Sequence, residues 1–494
     1  MQSNVYIGID LGTSSVKLLA VRTDGSIAAA ETRSYAVSYP APGYSEQAPE
    51  DWWTAVCEGL KALTAKLDQP VGGVAVGGQM HGLVVLDETD AVIRPCILWN
   101  DGRTAEETAW LNTEVGRETL VRETGNIAFA GFTAPKLLWM KKHEPENFAR
   151  IRKIMLPKDY ITYRLSGAFV TEYSDAAGTL LLNVKEKRWS DVMCSLCGVD
   201  EAALPALHES ADAVGLVTPE AAAATGLPAG VPVAAGAGDN AAAAVGTGTV
   251  HGGDCNLSIG TSGTLFIAAD SYPAGIDPAV HTFCHANGAF HVMGCILSAA
   301  SCNSWFAGEV LRETDFAAMQ AKIPADLPGN NDVYFLPYLT GERSPINDTA
   351  ARGTFIGLRP DTGREHMLLA VMEGVAFAIR DTLETVRNAG LSVAKTSVTG
   401  GGARSGLWLQ IFADVLNMPL EKPATEEGPG YGAAILAMTA AGVFGSVNAG
   451  ADAFRQVRET VYPDPARAAL YEARYRAFCR IYPALKPVFA QLYG

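Results

Sequence analysis

The chain has 494 residues, 48% of them apolar, and a formal net charge of −15. That length exceeds what one core serves, so two domains are expected in a globular, core-forming chain. The acidic balance argues against a nucleic-acid surface, which needs clustered Lys and Arg, and no run of 18 apolar residues predicts a membrane span. Val5–Asp10, Val16–Arg22 and Ile27–Tyr39 read as three strands, joined by turns at Gly12–Ser15 and Asp24-Gly25. Glu50–Leu67 is a predicted helix with Pro49 at its start, and Val71–Val76 a buried strand running into Gly77-Gly78-Gln79-Met80-His81-Gly82. Val84–Leu86 and Ala91–Arg94 are expected to form a hairpin. Val231–Ala235 is a further strand, leading through Gly236-Ala237-Gly238-Asp239-Asn240 into a helix over Ala241–Val245.

The pattern then restarts, and the domain boundary is placed near Gly246–Gly252, giving units 1–245 and 246–494. Val398 leads into Gly400-Gly401-Gly402-Ala403-Arg404 before helices over Leu407–Leu416 and Ala433–Ala441. From about Asp464 the chain reads as one long terminal helix, expected to pack back on the first domain. No basic or apolar leader precedes Val5, and nine cysteines scattered in apolar sequence fit reduced thiols, so a cytoplasmic location is expected. Cys194 and Cys197, and the set His281, Cys284 and His285, have metal-like spacing without further ligands and are read as structural.

Two glycine-threonine segments half a chain apart carry most of the functional signal. Ile7-Gly8-Ile9-Asp10-Leu11-Gly12-Thr13-Ser14-Ser15 and Leu257-Ser258-Ile259-Gly260-Thr261-Ser262-Gly263-Thr264 each place small hydroxyl residues on a turn after an apolar strand. Glycine lets backbone N–H groups approach a ligand, and Thr and Ser add hydroxyl donors, so each tip suits a phosphate chain. Two tips facing across a cleft would clamp a nucleotide. The Walker loop and the dinucleotide fingerprint are both missing, so another scaffold must carry them.

Phosphoryl transfer also needs a carboxylate near Mg²⁺ and one at the attacking hydroxyl. Asp10, at a strand end beside the first tip, suits the metal role, or caps a turn. Asp239, after two glycines and before an alanine-rich helix, suits the second role, or is a simple N-cap. His81 follows a strand end, where binding residues collect, and Trp99 offers a flat face to a sugar; both also fit a core.

The chain resembles the FGGY carbohydrate kinases along nearly its whole length. Gly131-Phe132-Thr133-Ala134-Pro135-Lys136-Leu137-Leu138-Trp139 is similar to one family signature. Gly353-Thr354-Phe355-Ile356-Gly357-Leu358, continuing through His366-Met367 to Ala370-Val371-Met372-Glu373, is similar to the other. Within the family the resemblance is strongest to the branch acting on D-xylulose, through Gly78–Gly82, Ile97–Arg103, Leu156–Tyr160, Ser174–Thr179, Gly238–Asn240 and Gly341–Pro345.

The resemblance implies an α/β fold of two actin-like, ribonuclease H-like ATPase domains with a cleft between them. The sugar is expected on the first domain, and ATP mainly on the second. Asp239 becomes the general base, and Asp10 the residue near Mg²⁺, through water, and near the transferring phosphate. Met80 and His81 become sugar contacts, with Gln79, Trp99 and Asn240 completing that set. Gly12, Thr13, Ser14, Gly260, Thr261, Ser262 and Gly263 become phosphate contacts, and Gly401, Gly402 and Ala403 hold the adenosine. The family often has three glycines before the base; here Ala237 interrupts them.

The expected activity is ATP- and Mg²⁺-dependent phosphorylation of D-xylulose, with closure of the cleft excluding water. A sister kinase for ribulose, gluconate, fuculose or glycerol is the near alternative. An actin- or chaperone-like ATPase is the distant one, and such a chaperone would need a client-binding region that the chain has no room for. The expected partners are a sugar and ATP, with no nucleic acid and no membrane, and the expected assembly is a homodimer.

Overall fold

The computed structural model describes residues 4–425 and 427–493. The apolar run Val5–Leu11 is buried along nearly all its length and becomes the centre of a sheet. On one side it pairs antiparallel with Ser15–Arg22, which pairs antiparallel with Ile27–Ser34. On the other it runs parallel to Val71–Gly78, with Asp10 opposite Gly77. Pro232–Ala234 continues the sheet in parallel, and Ala213–Leu216 closes it antiparallel.

The second sheet repeats this plan. Cys255–Ile259 is central, with antiparallel Gly263–Ala269 and Phe290–Ile296 on one side. Parallel Thr396–Thr399 and Leu420–Pro423 lie on the other, closed by antiparallel Val457–Val461. His281–Cys284 is added at the outer edge. The two glycine turns are therefore equivalent loops, each joining a central strand to its hairpin partner. Parallel neighbours require long crossovers, which supply the helices on the sheet faces. Pro49–Thr64 buries Trp52, Val56, Leu60 and Leu63 at helical spacing against the first sheet. Arg364–Asn388 runs through the centre of the second core.

A separate core joins the two halves. The helix Gly428–Ala440 contributes Ala433, Ala434 and Ala437 to a cluster that also holds Tyr6, Leu19 and Val21 of the first sheet. A Cβ on Gly8 would lie 1.9 Å from the Gly430 carbonyl oxygen, so only glycine allows the helix this close to the central strand. The alanine-rich helix Asp239–Gly246 crosses the same helix.

Three expectations are corrected. The third strand stops at Ser34, and the chain beyond it turns inward, where the Tyr35 hydroxyl donates to the Gly12 carbonyl at 2.5 Å. Val84–Leu86 forms its ladder with Lys153–Met155, and pairing with the expected hairpin partner shrinks to a bridge between Leu86 and Val92. There Asp87 Oδ1 takes the amides of Thr89 and Ala91, closing a tight turn. The terminal segment is two helices, Pro465–Phe478 and Ile481–Tyr493, and it packs on the second core through Tyr471, Tyr475, Phe478 and Phe489. Pro483 explains the break, since its ring would clash with the carbonyl four residues earlier. The destination follows from buried polar partners: Tyr471 and Arg474 both donate to Glu373, at 2.9 and 2.8 Å.

Candidate active site

Both central strands end at their glycine turns, and the site forms where these ends meet. Ala237–Gly238 pairs with Gly77-Gly78 and so sets the start of the helix Asp239–Gly246 beside the first sheet's strand ends. Asp239 Oδ1 accepts from the Asn240 amide at 2.7 Å and its Nδ2 at 2.8 Å. Burial raises its pKa to about 6 against these bonds. Asp10, near the end of the central strand, is raised to about 7 by burial and then by the charge of Asp239, with Lys17 opposing. The two carboxylates thus feel each other across the head of the site.

A cavity of about 220 Å³ opens beside Asp239. Of the residues singled out in the sequence, Met80, His81, Trp99, Asp239, Asn240 and Ser262 line it. His81 has a left-handed backbone at φ 69°, which turns its ring away from the strand. Its Nδ1 lies 2.7 Å from the Gly178 carbonyl, which can only accept, so Nδ1 carries the proton and Nε2 is left as an acceptor. Burial lowers its pKa to about 3, so the ring is neutral. Phe132 stacks on it at 4.7 Å, and the His81 carbonyl accepts from Lys136 Nζ at 2.8 Å. Trp99 is 42% exposed, and its Nε1 donates to Thr13 Oγ1 at 3.0 Å, tying one cavity wall to the first glycine turn.

The turns are held by their carbonyls. Gln47 Nε2 donates to the Thr13 carbonyl at 2.7 Å. The Gly260 and Thr261 carbonyls accept from the amides of Ala300 and Ala299, each at 2.9 Å. The amides of Thr13, Ser14, Thr261 and Ser262 have no backbone acceptor among the described residues. Pinned carbonyls with open amides are what an anion requires of a turn.

Several other candidates sit outside the cavity wall. Gln79 is buried beneath the first turn, where its Nε2 donates to Gln47 Oε1 at 3.2 Å; it braces the turn and does not line the cavity. Gly12, Gly260 and Gly263 shape the two turns. Gly401, Gly402 and Ala403 form a short 3-10 turn after Thr396–Thr399, beside the second central strand and away from Asp239. A Cβ on Gly402 would come 2.4 Å from Ile259 Cγ2, so this turn sits tightly against the strand that carries Gly260.

Sequence reasoning missed Phe129, Phe132 and Arg343, which also line the cavity. Phe132 and Arg343 lie inside motifs that marked the family, but nothing local said that their side chains face a ligand. Behind Asp239 lies a fully buried charge cluster. Lys158 Nζ is 2.6 Å from Asp159 Oδ1, 3.6 Å from Glu172 Oε1 and 3.9 Å from Asp175 Oδ2. Ser174 Oγ accepts from the Gly238 amide at 3.1 Å and donates to Glu172 at 3.0 Å, linking this cluster to the peptide that precedes Asp239. His281 and His285 pack among aromatic rings, and no group of three or more metal-ligating side chains occurs among the described residues.

Comparison with known proteins agrees with this geometry. Residues 5–246 match the N-terminal domain of the FGGY family of carbohydrate kinases, and residues 255–441 match its C-terminal domain. The chain is similar to the xylulose kinase of Escherichia coli (strain K12), at 42% identity over 98% of this chain and 100% of that relative. It is similar to a solved structure described as a xyloylose kinase from Brucella ovis, at 41% identity and a TM-score of 0.93, covering 98% and 100% of the two chains. It is also similar to a gluconate kinase structure from Lactobacillus acidophilus, at 26% identity and a TM-score of 0.94, covering 99% of each. The duplicated sheet, the paired glycine turns and these matches over both halves lead to one assignment: the chain belongs to the FGGY family of carbohydrate kinases.

Proposed function

We propose that the chain transfers the γ-phosphoryl group of ATP to the 5-hydroxyl of D-xylulose, with Asp239 as general base. The observation that carries this reading is a single cavity lined by the Asp239 carboxylate, the neutral His81 and Ser262 of the second glycine turn. The choice of sugar rests on relatives named for xylulose at up to 42% identity over nearly the whole chain. The gluconate kinase, equally close in fold but lower in identity, makes plain that backbone shape alone does not choose the sugar.

In this reading the sugar hydroxyl attacks the γ-phosphorus, the bond from phosphorus to the β,γ-bridging oxygen breaks, and ADP leaves. The hydroxyl proton passes to Asp239. A carboxylate raised to about 6 is ionised at neutral pH yet basic enough to take a proton late in a loose transition state. The open amides of Thr13, Ser14, Thr261 and Ser262 hold the phosphates, and Gly401, Gly402 and Ala403 border the adenosine. The first unit, 1–245, then carries the sugar and the second, 246–494, the nucleotide.

The donor set fits magnesium. Asp10 is a carboxylate raised partly by its neighbour's charge, which a hard divalent cation would relieve. No group of three or more ligating side chains occurs among the described residues, so the ion would complete its shell from water and ATP phosphates. Bound there by Asp10 through water, Mg²⁺ supplies neutralisation of the charge that builds on the phosphates. All nine cysteines are free thiols, which supports a reducing compartment such as the cytoplasm. A homodimer is the assembly expected, and sedimentation of the purified chain reads it directly.

The test is a coupled assay of ADP release over pentuloses, gluconate, fuculose and glycerol, repeated with Asp239→Ala. D-xylulose should give the highest kcat/KM, and the variant should lose roughly 10²–10⁴-fold in kcat. A folded Asp239→Ala protein with near wild-type turnover overturns the base, and preference for another sugar overturns the substrate.

A further inference from the structure

The half-buried Arg343 is held rigidly but has nothing to bind. Its loop is pinned to the edge of the second sheet: the Ser344 amide donates to the Cys295 carbonyl at 3.0 Å, and Ser344 Oγ donates to the Ala279 carbonyl at 2.8 Å. Its guanidinium carbon stands 5.5 Å from the centre of the Phe129 ring, on the cavity wall. Among the described residues, no carboxylate lies within 4.0 Å of the guanidinium and no protein acceptor takes its N–H groups. The neighbouring Glu342 turns its Oε1 to the amides of Leu297 and Arg343 at 2.8 and 2.7 Å, and its Oε2 is buried without a hydrogen-bond partner, so neither oxygen takes the guanidinium. A guanidinium presents five donors and no acceptor, and it keeps its charge at any working pH. A fixed, unpaired donor fork on a cavity wall calls for an acceptor on the ligand.

Its place along the cavity says which part of the ligand. Phe129 packs on Phe132 at 5.5 Å, and Phe132 stacks on His81, so Arg343 stands at the aromatic end. Its charge bears on His81, His281, Cys295 and Glu342. The cavity is therefore polar in a definite order. Asp239 accepts at one end, His81 Nε2 accepts beside the aromatic wall, and Arg343 only donates at the other end. A hydroxyl suits the first two. An oxygen that only accepts, as in a ketone or a carboxylate, suits the third.

We propose that Arg343 is a specificity-determining residue that binds the acceptor-only oxygen at the end of the sugar remote from the transferred hydroxyl, and that the same contact makes five-carbon aldonates competitive inhibitors. The proposal rests on the sugar-kinase reading of the cavity. It selects a ketose over the matching alditol, in which the carbonyl has become a hydroxyl. It also gives an anionic sugar an ion pair with the guanidinium that a neutral sugar lacks.

The experiment is calorimetric titration of wild type, Arg343→Met and Arg343→Lys with D-xylulose, xylitol and D-xylonate, all with a non-hydrolysable ATP analogue present. Wild type should bind D-xylulose better than xylitol, and D-xylonate with an affinity that falls as salt rises. Arg343→Met should lose roughly 10–100-fold for D-xylulose, the scale of a charged hydrogen bond, lose D-xylonate altogether, and cost xylitol less, because its hydroxyl there also accepts but leaves its own O–H without an acceptor. Arg343→Lys should keep the salt-sensitive binding of D-xylonate at reduced affinity, because the charge stays while the fork is gone. Steady-state kinetics should place the loss in KM for the sugar and leave KM for ATP alone. Equal affinities of wild type and Arg343→Met for D-xylulose would overturn the inference. If wild type binds none of the three, the sugar-kinase reading itself falls, and the two failures are thereby told apart. Should Arg343→Met not fold, unchanged binding by Arg343→Lys overturns the proposal in its place.

Discussion

Replacing Asp239 by Asn should make the free protein more stable while removing its activity. Burial raises the carboxyl to about 6 in the folded chain, above its ordinary value of 3.8. Below about 4 it is protonated in both states and contributes no difference. As pH rises the unfolded chain releases the proton first, so a penalty on the folded state grows and is complete above about 6. Two units correspond to roughly 3 kcal/mol, and water reaching the half-buried group through the cavity cuts this to about 1–2 kcal/mol. Asn keeps the shape and the carbonyl acceptor for the Asn240 donors, and because Gly238 and not residue 239 is the N-cap of the helix, no side-chain cap is lost to offset the gain. A gain of that size should raise the melting temperature of the unit it sits in by roughly 2–6 °C. The assay is differential scanning calorimetry without ligands at pH 5, 6.5 and 8. The gain should be largest at pH 8 and about half as large at pH 5, as the same linkage requires. A gain independent of pH, or one that shrinks from pH 5 to 8, refutes the reasoning, because it would come from something other than the buried charge.

The same titration predicts the rate profile. kcat/KM should fall as pH drops through about 7 and then about 6, where Asp10 and then Asp239 take up protons; His81, neutral down to about 3, adds no limb in this range. A profile flat from pH 8 to 5 would contradict the base. Ser174→Ala should lower kcat and leave KM for ATP unchanged, because it leaves the buried Gly238 amide unpaired next to Asp239. Wild-type kcat in that variant would separate the cluster from the site. Lys158→Met should prevent accumulation of folded protein, since Asp159, Glu172 and Asp175 would be left buried without their cation; soluble, cooperative melting would count against this.

Much of the architecture was legible because its signals are local. A buried strand, a glycine turn and a second strand are written within Val5–Arg22, and the repetition of that unit half a chain later implied the duplicated sheet. Asp239 and His81 were visible because each follows a strand end. Arg343 was not, since its place on the cavity wall depends on a loop pinned to Cys295 and Ala279. Gln79 was misplaced for a related reason. It shares a motif with Met80 and His81, but strand alternation sends it beneath the sheet to Gln47. The terminal helices show the same limit: a 3.6-residue period gives a face, and only the buried Glu373 on a distant helix says which core receives it.

The crossing of two helices, one from each half, gives the last prediction. Asp239–Gly246 begins with the proposed base, and Gly428–Ala440 lies on the first sheet while its chain neighbours belong to the second. A Cβ on Gly432 would stand 1.8 Å from the Ala242 carbonyl oxygen, a backbone atom that no rotamer change can move aside. Gly432→Ala must therefore push the helices apart by more than an ångström, at a cost of roughly 1–3 kcal/mol, and tilt the helix that aims Asp239. Catalysis is sensitive to displacements of that size, so kcat should fall at least tenfold, and the melting temperature should fall with it. Gly445→Ala, where a Cβ meets nothing within 4 Å, is the matched control and should change neither. If the two halves also close on their ligands, they hinge at this crossing. Small-angle scattering with D-xylulose and a non-hydrolysable ATP analogue should then show a smaller radius of gyration for wild type than either ligand alone produces, and Gly432→Ala should lose that contraction. A Gly432→Ala protein that melts, turns over and contracts like wild type would mean that the crossing is slack and that Asp239 is positioned by Ser174 and its cluster alone.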